Sequence, residues 1–236
     1  MARVAFFALL CAQTAFGLTC SKRATDFFNP TTNGGSLLDD AGNGLGEPLN
    51  VIVSGLSSPD VLTDDGIVNF ARAIGFSEEC FGIHLGAPQS ANLGDGNGPV
   101  NQTIELRQDF GDPGLGTCLE SLIGGDHFRH AVPWLGRCVH TDWSSGFQSL
   151  PPEWLLGRQW CFIPRDVTTG HTISPDGYDV GRNALVSAAI GSTNFGGVSY
   201  STTAQNITGL ITAGSTGVNH GIAQDGIVTL LTVTIV

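Results

Sequence analysis

Charge is scarce in this chain. Charged residues make up 13 % of the 236, and basic ones are the scarcer kind: ten Lys and Arg against 21 Asp and Glu, a formal net charge of −11. Nucleic acid and anionic membrane surfaces are recognised through Lys and Arg that neutralise phosphates, so this balance argues against both as partners. The plain reading of the acidity is solubility. No apolar run approaches the ~20 residues of a membrane span. Gly-x-Ser-x-Gly is absent; its nearest variant, Ala213-Gly214-Ser215-Thr216-Gly217 with His220 close by, has no clear helix after it and reads as a turn. Walker loops, dinucleotide fingerprints and paired His on one helical turn are absent as well. The sequence therefore calls for no cofactor and no metal; His127, His171 and Asp179 could ligate in kind, but they lack tight ligand spacing.

Glycine, by contrast, is abundant, at 33 residues, and with so little charge it favours short strands and tight turns over long surface helices. At the N-terminus, Arg3 precedes an apolar run from Val4 to Ala12, and Ala15-Phe16-Gly17 ends in small residues. This is the pattern of a cleaved signal peptide over 1–17, and it places the protein in a secreted, extracellular, oxidising setting. Residues 18–45 read as a flexible segment. The dibasic Lys22-Arg23 within it is either a processing site or two solvated charges. Residues 46–236 read as one domain.

Six cysteines are encoded, and Cys11 leaves with the leader. Cys20, Cys80, Cys118, Cys138 and Cys161 remain, an odd number for an oxidising compartment. Cys80 and Cys118 are the favoured pair, a bridge worth about 3–4 kcal/mol in the chain-entropy account. Asn101-Gln102-Thr103 and Asn206-Ile207-Thr208 are glycosylation sequons near turn-rich stretches.

The pattern predicts an α+β fold: mostly antiparallel sheet with two packed helices. Leu49–Ser54 reads as a buried strand. Ser58-Pro59-Asp60 carries the cap, first-turn proline and acid of a helix start, so a helix is expected over 58–75. Ser174-Pro175-Asp176 repeats that grammar and predicts a helix over 174–191. Both spans begin Ser-Pro-Asp and end Ala-Ile-Gly, a faint internal repeat or two good caps by coincidence. Further strands are expected at Gly82–Gly86, Gln102–Phe110, Gly125–His130 and Leu230–Val236. A turn is expected at Asn92–Gly98, and Asp225-Gly226 reads as a hairpin turn.

All four tryptophans, Trp134, Trp143, Trp154 and Trp160, fall in one stretch that also holds Cys138 and Cys161. No period of 2 or 3.6 runs through 132–166, so it reads as irregular. It is either an aromatic loop for a glycan or an interface, or the product of a mis-spliced or frame-shifted gene model in place of a genuine strand.

The candidate chemistry gathers in two places. His127 and Arg129 are two apart on a strand and share a face. Asp179 and Arg182 are three apart on a helix and share a face, with His171 a few residues before them. Converging, they would form a pocket for a small anionic ligand, with Arg supplying forked recognition; the alternative is a structural salt-bridge cluster. Glu47–Gly55, the His127-Phe128-Arg129 triplet and the His171…Asp179-Val180-Gly181-Arg182 segment resemble uncharacterised secreted proteins of fungi. They are more distantly similar to the LssY C-terminal domain family, over about 46–193. The resemblance implies a fold and a place for a site, not a reaction. The resulting expectation is a secreted, glycosylated binding or surface module, with a hydrolase acting on an anionic or ester substrate as the alternative.

Overall fold

The computed structural model describes residues 26–83, 88–123, 126–131, 158–161 and 177–236. The leader, Lys22-Arg23, Cys20, Cys138, His171, Ser174-Pro175-Asp176 and three of the four tryptophans lie outside these residues.

The fold is α+β, as the composition predicts. One eight-stranded sheet has the order β2-β5-β6-β7-β1-β10-β9-β8, and β3 and β4 form a separate pair. The strands are β1 (Val51–Val53), β2 (Phe76–Ser77), β3 (Ser90–Asn92), β4 (Pro99–Asn101), β5 (Ile104–Gln108), β6 (His127–Ala131), β7 (Arg158–Cys161), β8 (Gly191–Phe195), β9 (Val198–Thr208) and β10 (Ile227–Ile235). All neighbours in the large sheet are antiparallel except β1 and β10.

The short apolar run 51–53 is buried on both faces because it lies mid-sheet. Val51 and Val53 join Phe128, Leu231 and the helix residues Phe70 and Leu185 in one core; Ile52 joins Leu37, Leu49, Tyr178 and Leu230 in the other. Successive side chains of a strand point to opposite faces, so a three-residue strand serves both cores.

Three helices accompany the sheet among the described residues, not two: α1 (Asp64–Ala73), α2 (Gly116–Ile123) and α3 (Gly177–Ala189). The expected helix over 58–75 is split. Pro59–Leu62 is a 3-10 turn, and Thr63 is the true cap, its Oγ1 accepting from the Gly66 amide at 2.9 Å. Ser58 serves the sheet instead, its Oγ accepting from the Ile235 amide. The overlooked α2 follows Asp112, whose Oδ1 accepts from the amides of Gly114 and Leu115. Gly116 at its start is required: a Cβ there would lie 1.5 Å from the Asp109 carbonyl oxygen.

Four further expectations are corrected. Residues 26–45 do not trail as a flexible segment; Leu37 is buried in the core, and Leu38 and Asp39 bridge to Pro48 and Ala91. The strand expected from Gly82 begins instead as a 3-10 turn, Cys80–Gly82, and residues 84–87 lie outside the described ones. The irregular window 132–166 contains β7, which stands between β6 and β1. Asp225-Gly226 is not a two-residue hairpin turn, since β9 and β10 pair from Thr208 to Ile227 across a long connection. The tight hairpin joins β8 to β9 through Gly196 and Gly197, at φ +58° and +82°, the left-handed pair that such a turn demands.

Cys80 and Cys118 are bridged across 38 residues, tying the 3-10 turn to α2. Closing a loop of that length restricts the unfolded chain by about 4 kcal/mol. Replacing both cysteines with serine is therefore expected to lower the unfolding free energy by about 2–4 kcal/mol in urea titrations; an unchanged midpoint contradicts this.

Candidate functional site

Strands β5 and β6 pair Glu105 with Arg129 and Arg107 with His127. These four side chains share the face opposite Leu106 and Phe128, which enter the core beside α1. Apolar neighbours would leave the charges unpaid for, so carboxylates arrive from three other segments. Arg107 donates from Nη2 to Glu79 Oε1 at 2.7 Å and lies 3.2 Å from Glu105. The His127 Nε2 is 2.8 Å from Glu120 Oε1 on α2, and its Nδ1 is 3.7 Å from Glu105. The Arg107 guanidinium stands against the same imidazole. Arg129 donates from Nη1 to Glu47 Oε2 at 2.6 Å. Glu47 and Glu120 are buried. The cystine flanks the arrangement: Cys80 follows Glu79, and Cys118 lies two residues before Glu120.

Burial pushes the Glu105 carboxyl up, but the His127 hydrogen bond, the Arg129 and Arg107 charges and the Gln102 hydrogen bond overrule it and hold the group at about 2. Asp39, whose Oδ1 accepts from the Glu47 amide, moves the other way. Burial and then the Glu47 charge raise it to about 7, against the opposing pull of that hydrogen bond and of Arg129.

Asp179 and Arg182 belong to a different place. Arg182 forks onto Asp225, with Nη1 and Nη2 each 2.7 Å from a carboxylate oxygen, and Nη1 also donates to the Ile227 carbonyl at 2.8 Å. Its Nη1 is 3.4 Å from Asp179. The Arg182 hydrogen bond holds the Asp225 carboxyl below the usual carboxylate range, whereas burial raises Asp179. This fork fastens α3 to the start of β10, and β7 and β1 stand between β10 and β6. His127 with Arg129, and Asp179 with Arg182, are thus two ion-paired groups; His171 lies outside the described residues. Each of the two expected arginines already has a carboxylate. The partners Glu47, Glu79, Glu105, Glu120 and Asp225 are the residues that sequence reading missed, because four of the five reach their cation across loops or between elements. Glu105, two residues before Arg107 on the same face of β5, is the one that period-2 patterning could have found.

Asn101 and Asn206 are both exposed. Asn206 lies within β9 rather than in a turn, its Oδ1 accepting from Thr229. No helix of the described residues is long and apolar enough to cross a membrane, and no group of His, Cys, Asp or Glu among them could hold a metal ion. Comparison with family models, with curated proteins and with solved structures finds no match to this chain.

Two predictions follow from these charges. Arg182→Ala takes the forked donor from Asp225, which keeps the Ile227 amide, and the side-chain donor from the Ile227 carbonyl, and is expected to cost about 3 kcal/mol, with Arg182→Lys intermediate because an ammonium cannot fork; urea midpoints measure both. The second concerns pH. Asp39 binds its proton more tightly folded, at about 7, than its ordinary value of 3.8, so its contribution to stability is complete at low pH and is lost as pH rises toward 7. Glu105, held at about 2 against an ordinary 4.5, contributes stability that is lost as pH falls from 4.5 toward 2. The urea midpoint should therefore be higher at pH 5 than at pH 8, by on the order of 2 kcal/mol in free energy. Asp39→Asn should shrink that difference, and an equal difference in the variant contradicts the assignment.

Proposed function

We propose that this chain is a secreted, glycosylated binding or cell-surface module with no assignable catalysis. The observation that carries the reading is the state of its buried cations. Arg107, Arg129 and Arg182 are the groups an anionic substrate would need, and each is already engaged by a carboxylate of the chain itself. To take such a substrate, the site would have to break a partly buried pair and leave a carboxylate unpaired, a cost of several kcal/mol. The leader-like pattern of residues 1–17, a cystine and two exposed sequon asparagines support an extracellular setting.

A hydrolase is the second reading, and one contact favours it. The His127 imidazole is oriented by Glu120 at 2.8 Å, the base-and-orienter half of an acyl-transfer triad. Secreted protein carrying its own leader, assayed on ester and phosphoester panels, separates the two. The expected results are an N-terminus at Leu18, a mass shift on endoglycosidase treatment that disappears in Asn101→Gln/Asn206→Gln, and no turnover above buffer. Turnover that disappears in His127→Ala overturns the binding-module reading. Retention inside the cell overturns the secretion.

A further inference from the structure

A second polar site lies on the opposite face of β5 and β6 from the charged layer. Where these strands end, Gln108 and Asp126 are neighbours, the Gln108 amide donating to the Asp126 carbonyl at 2.9 Å. A cleft of about 140 Å³ opens there, between the end of α1 and the middle of α3. Its apolar wall is Ile74, Phe76, Ala184, Leu185 and Ala188. Its polar wall is Gln108, Asp109 and Asp126, and among the described residues no Lys, Arg or His lines it.

The two carboxylates differ in how they are held. Asp109 accepts from the Ser77 hydroxyl and from the Gly111 amide, both at 2.9 Å, so among the described residues it has neutral donors but no cation. Asp126 is 7 % exposed, and among the described residues no hydrogen bond reaches its carboxyl; only its backbone groups are paired. A carboxylate left in that state is costly to bury unless something supplies a donor. Burial raises this carboxyl to about 6, against the pull of the His127 charge and with the push of Glu120. Phe110, which also lines the cleft, keeps a left-handed backbone at φ +48°, a strained conformation for a bulky residue.

These features specify the ligand's chemistry. An anion would meet two carboxylates and no cation. A bare divalent metal ion takes six or more oxygens, and here it would face five apolar side chains. An ammonium on a short alkyl stem satisfies both walls: its N–H groups serve the carboxylates with charge-assisted bonds, and its carbons cover the alanines and leucine. A space of about 150 Å³ holds a benzene-sized body, so the stem is about four to six carbons.

We infer that this cleft binds a small alkylammonium group, through Asp126 and Asp109 at its polar wall and Ala184, Leu185 and Ala188 at its apolar one. It rests on the proposed function only in that the ligand is bound rather than turned over, and a failed substrate panel leaves it standing. The group could be a free amine or the side chain of a partner's lysine, and the two share the same chemistry.

Amide NMR spectra of the full secreted protein test it, with n-butylammonium as probe and n-butanol, butyrate and calcium as controls. The expected result is saturable shifts at Gly75, Gly111, Asp126 and Ala188 with butylammonium, and at least tenfold weaker binding of butanol. Asp126→Asn should weaken butylammonium at least tenfold while keeping or raising the thermal midpoint, since its carboxyl accepts no hydrogen bond and is costly to bury ionised. Ala184→Leu, at an exposed helix position, should block the cleft independently. Nα-acetyl-lysine methylamide binding more tightly than butylammonium points to a partner's lysine; the reverse points to a free amine. Equal binding of butanol, the same shifts with calcium, no saturable shift, or full affinity in Asp126→Asn overturns the proposal.

Discussion

Placing Glu105 on a covered sheet face is the constraint from which much of this molecule follows. A carboxylate there needs cations, and the antiparallel register supplies them: Arg129 directly across the ladder and Arg107 two residues along the same strand. Those guanidiniums then need more carboxylate than one glutamate offers. Glu47 comes from the segment before β1, Glu79 from the residue that leads into the 3-10 turn after β2, and Glu120 from α2. Three connecting segments are thereby docked onto two strands by charge. Such a layer gives little net stability over an apolar one, but it penalises every arrangement that leaves one member unpaired. The cystine works on the same arrangement from the covalent side, because it joins the two segments that bring Glu79 and Glu120.

The fold was legible where a signal is local. The 49–54 run and the final strand could be read because apolar density and β-branching are written in short windows, and the Cys80–Cys118 pair because both cysteines lie outside the irregular 132–166 stretch. Boundaries failed where two good local signals competed. Ser58 and Thr63 both look like caps; the sheet takes Ser58 for β10, so the helix begins at Thr63. Asp225-Gly226 looks like a hairpin turn, yet the Asp225 carboxylate is committed to Arg182 and to the Ile227 amide. The plainer Gly196-Gly197 pair makes the turn instead. Helix α2 was hidden by its length and by two glycines at its start, although Asp112-Pro113 carries the same cap-and-proline grammar as the helices that were found.

The site was half legible for a related reason. Alternation along β6 correctly puts His127 and Arg129 on one face, and helical spacing correctly puts Asp179 beside Arg182. What alternation cannot tell is what stands opposite. Glu47 meets Arg129 across 82 residues and Asp225 meets Arg182 across 43, and neither separation leaves a pattern in the sequence. Without those partners a pair of arginines looks like an invitation to an anion; with them, the same arginines are internal fasteners.

That reversal changes which ligands the molecule favours. In a chain with a net charge of −11, fastening the cations inside leaves the remaining field negative, and most strongly so where burial keeps water from screening it. Asp109 and Asp126 meet that condition, facing an apolar helix wall with no cation beside them among the described residues. The charged layer and the cleft are therefore two consequences of one distribution of charge on β5 and β6: one face pairs its arginines with glutamates, and the other, among the described residues, carries two carboxylates and no arginine.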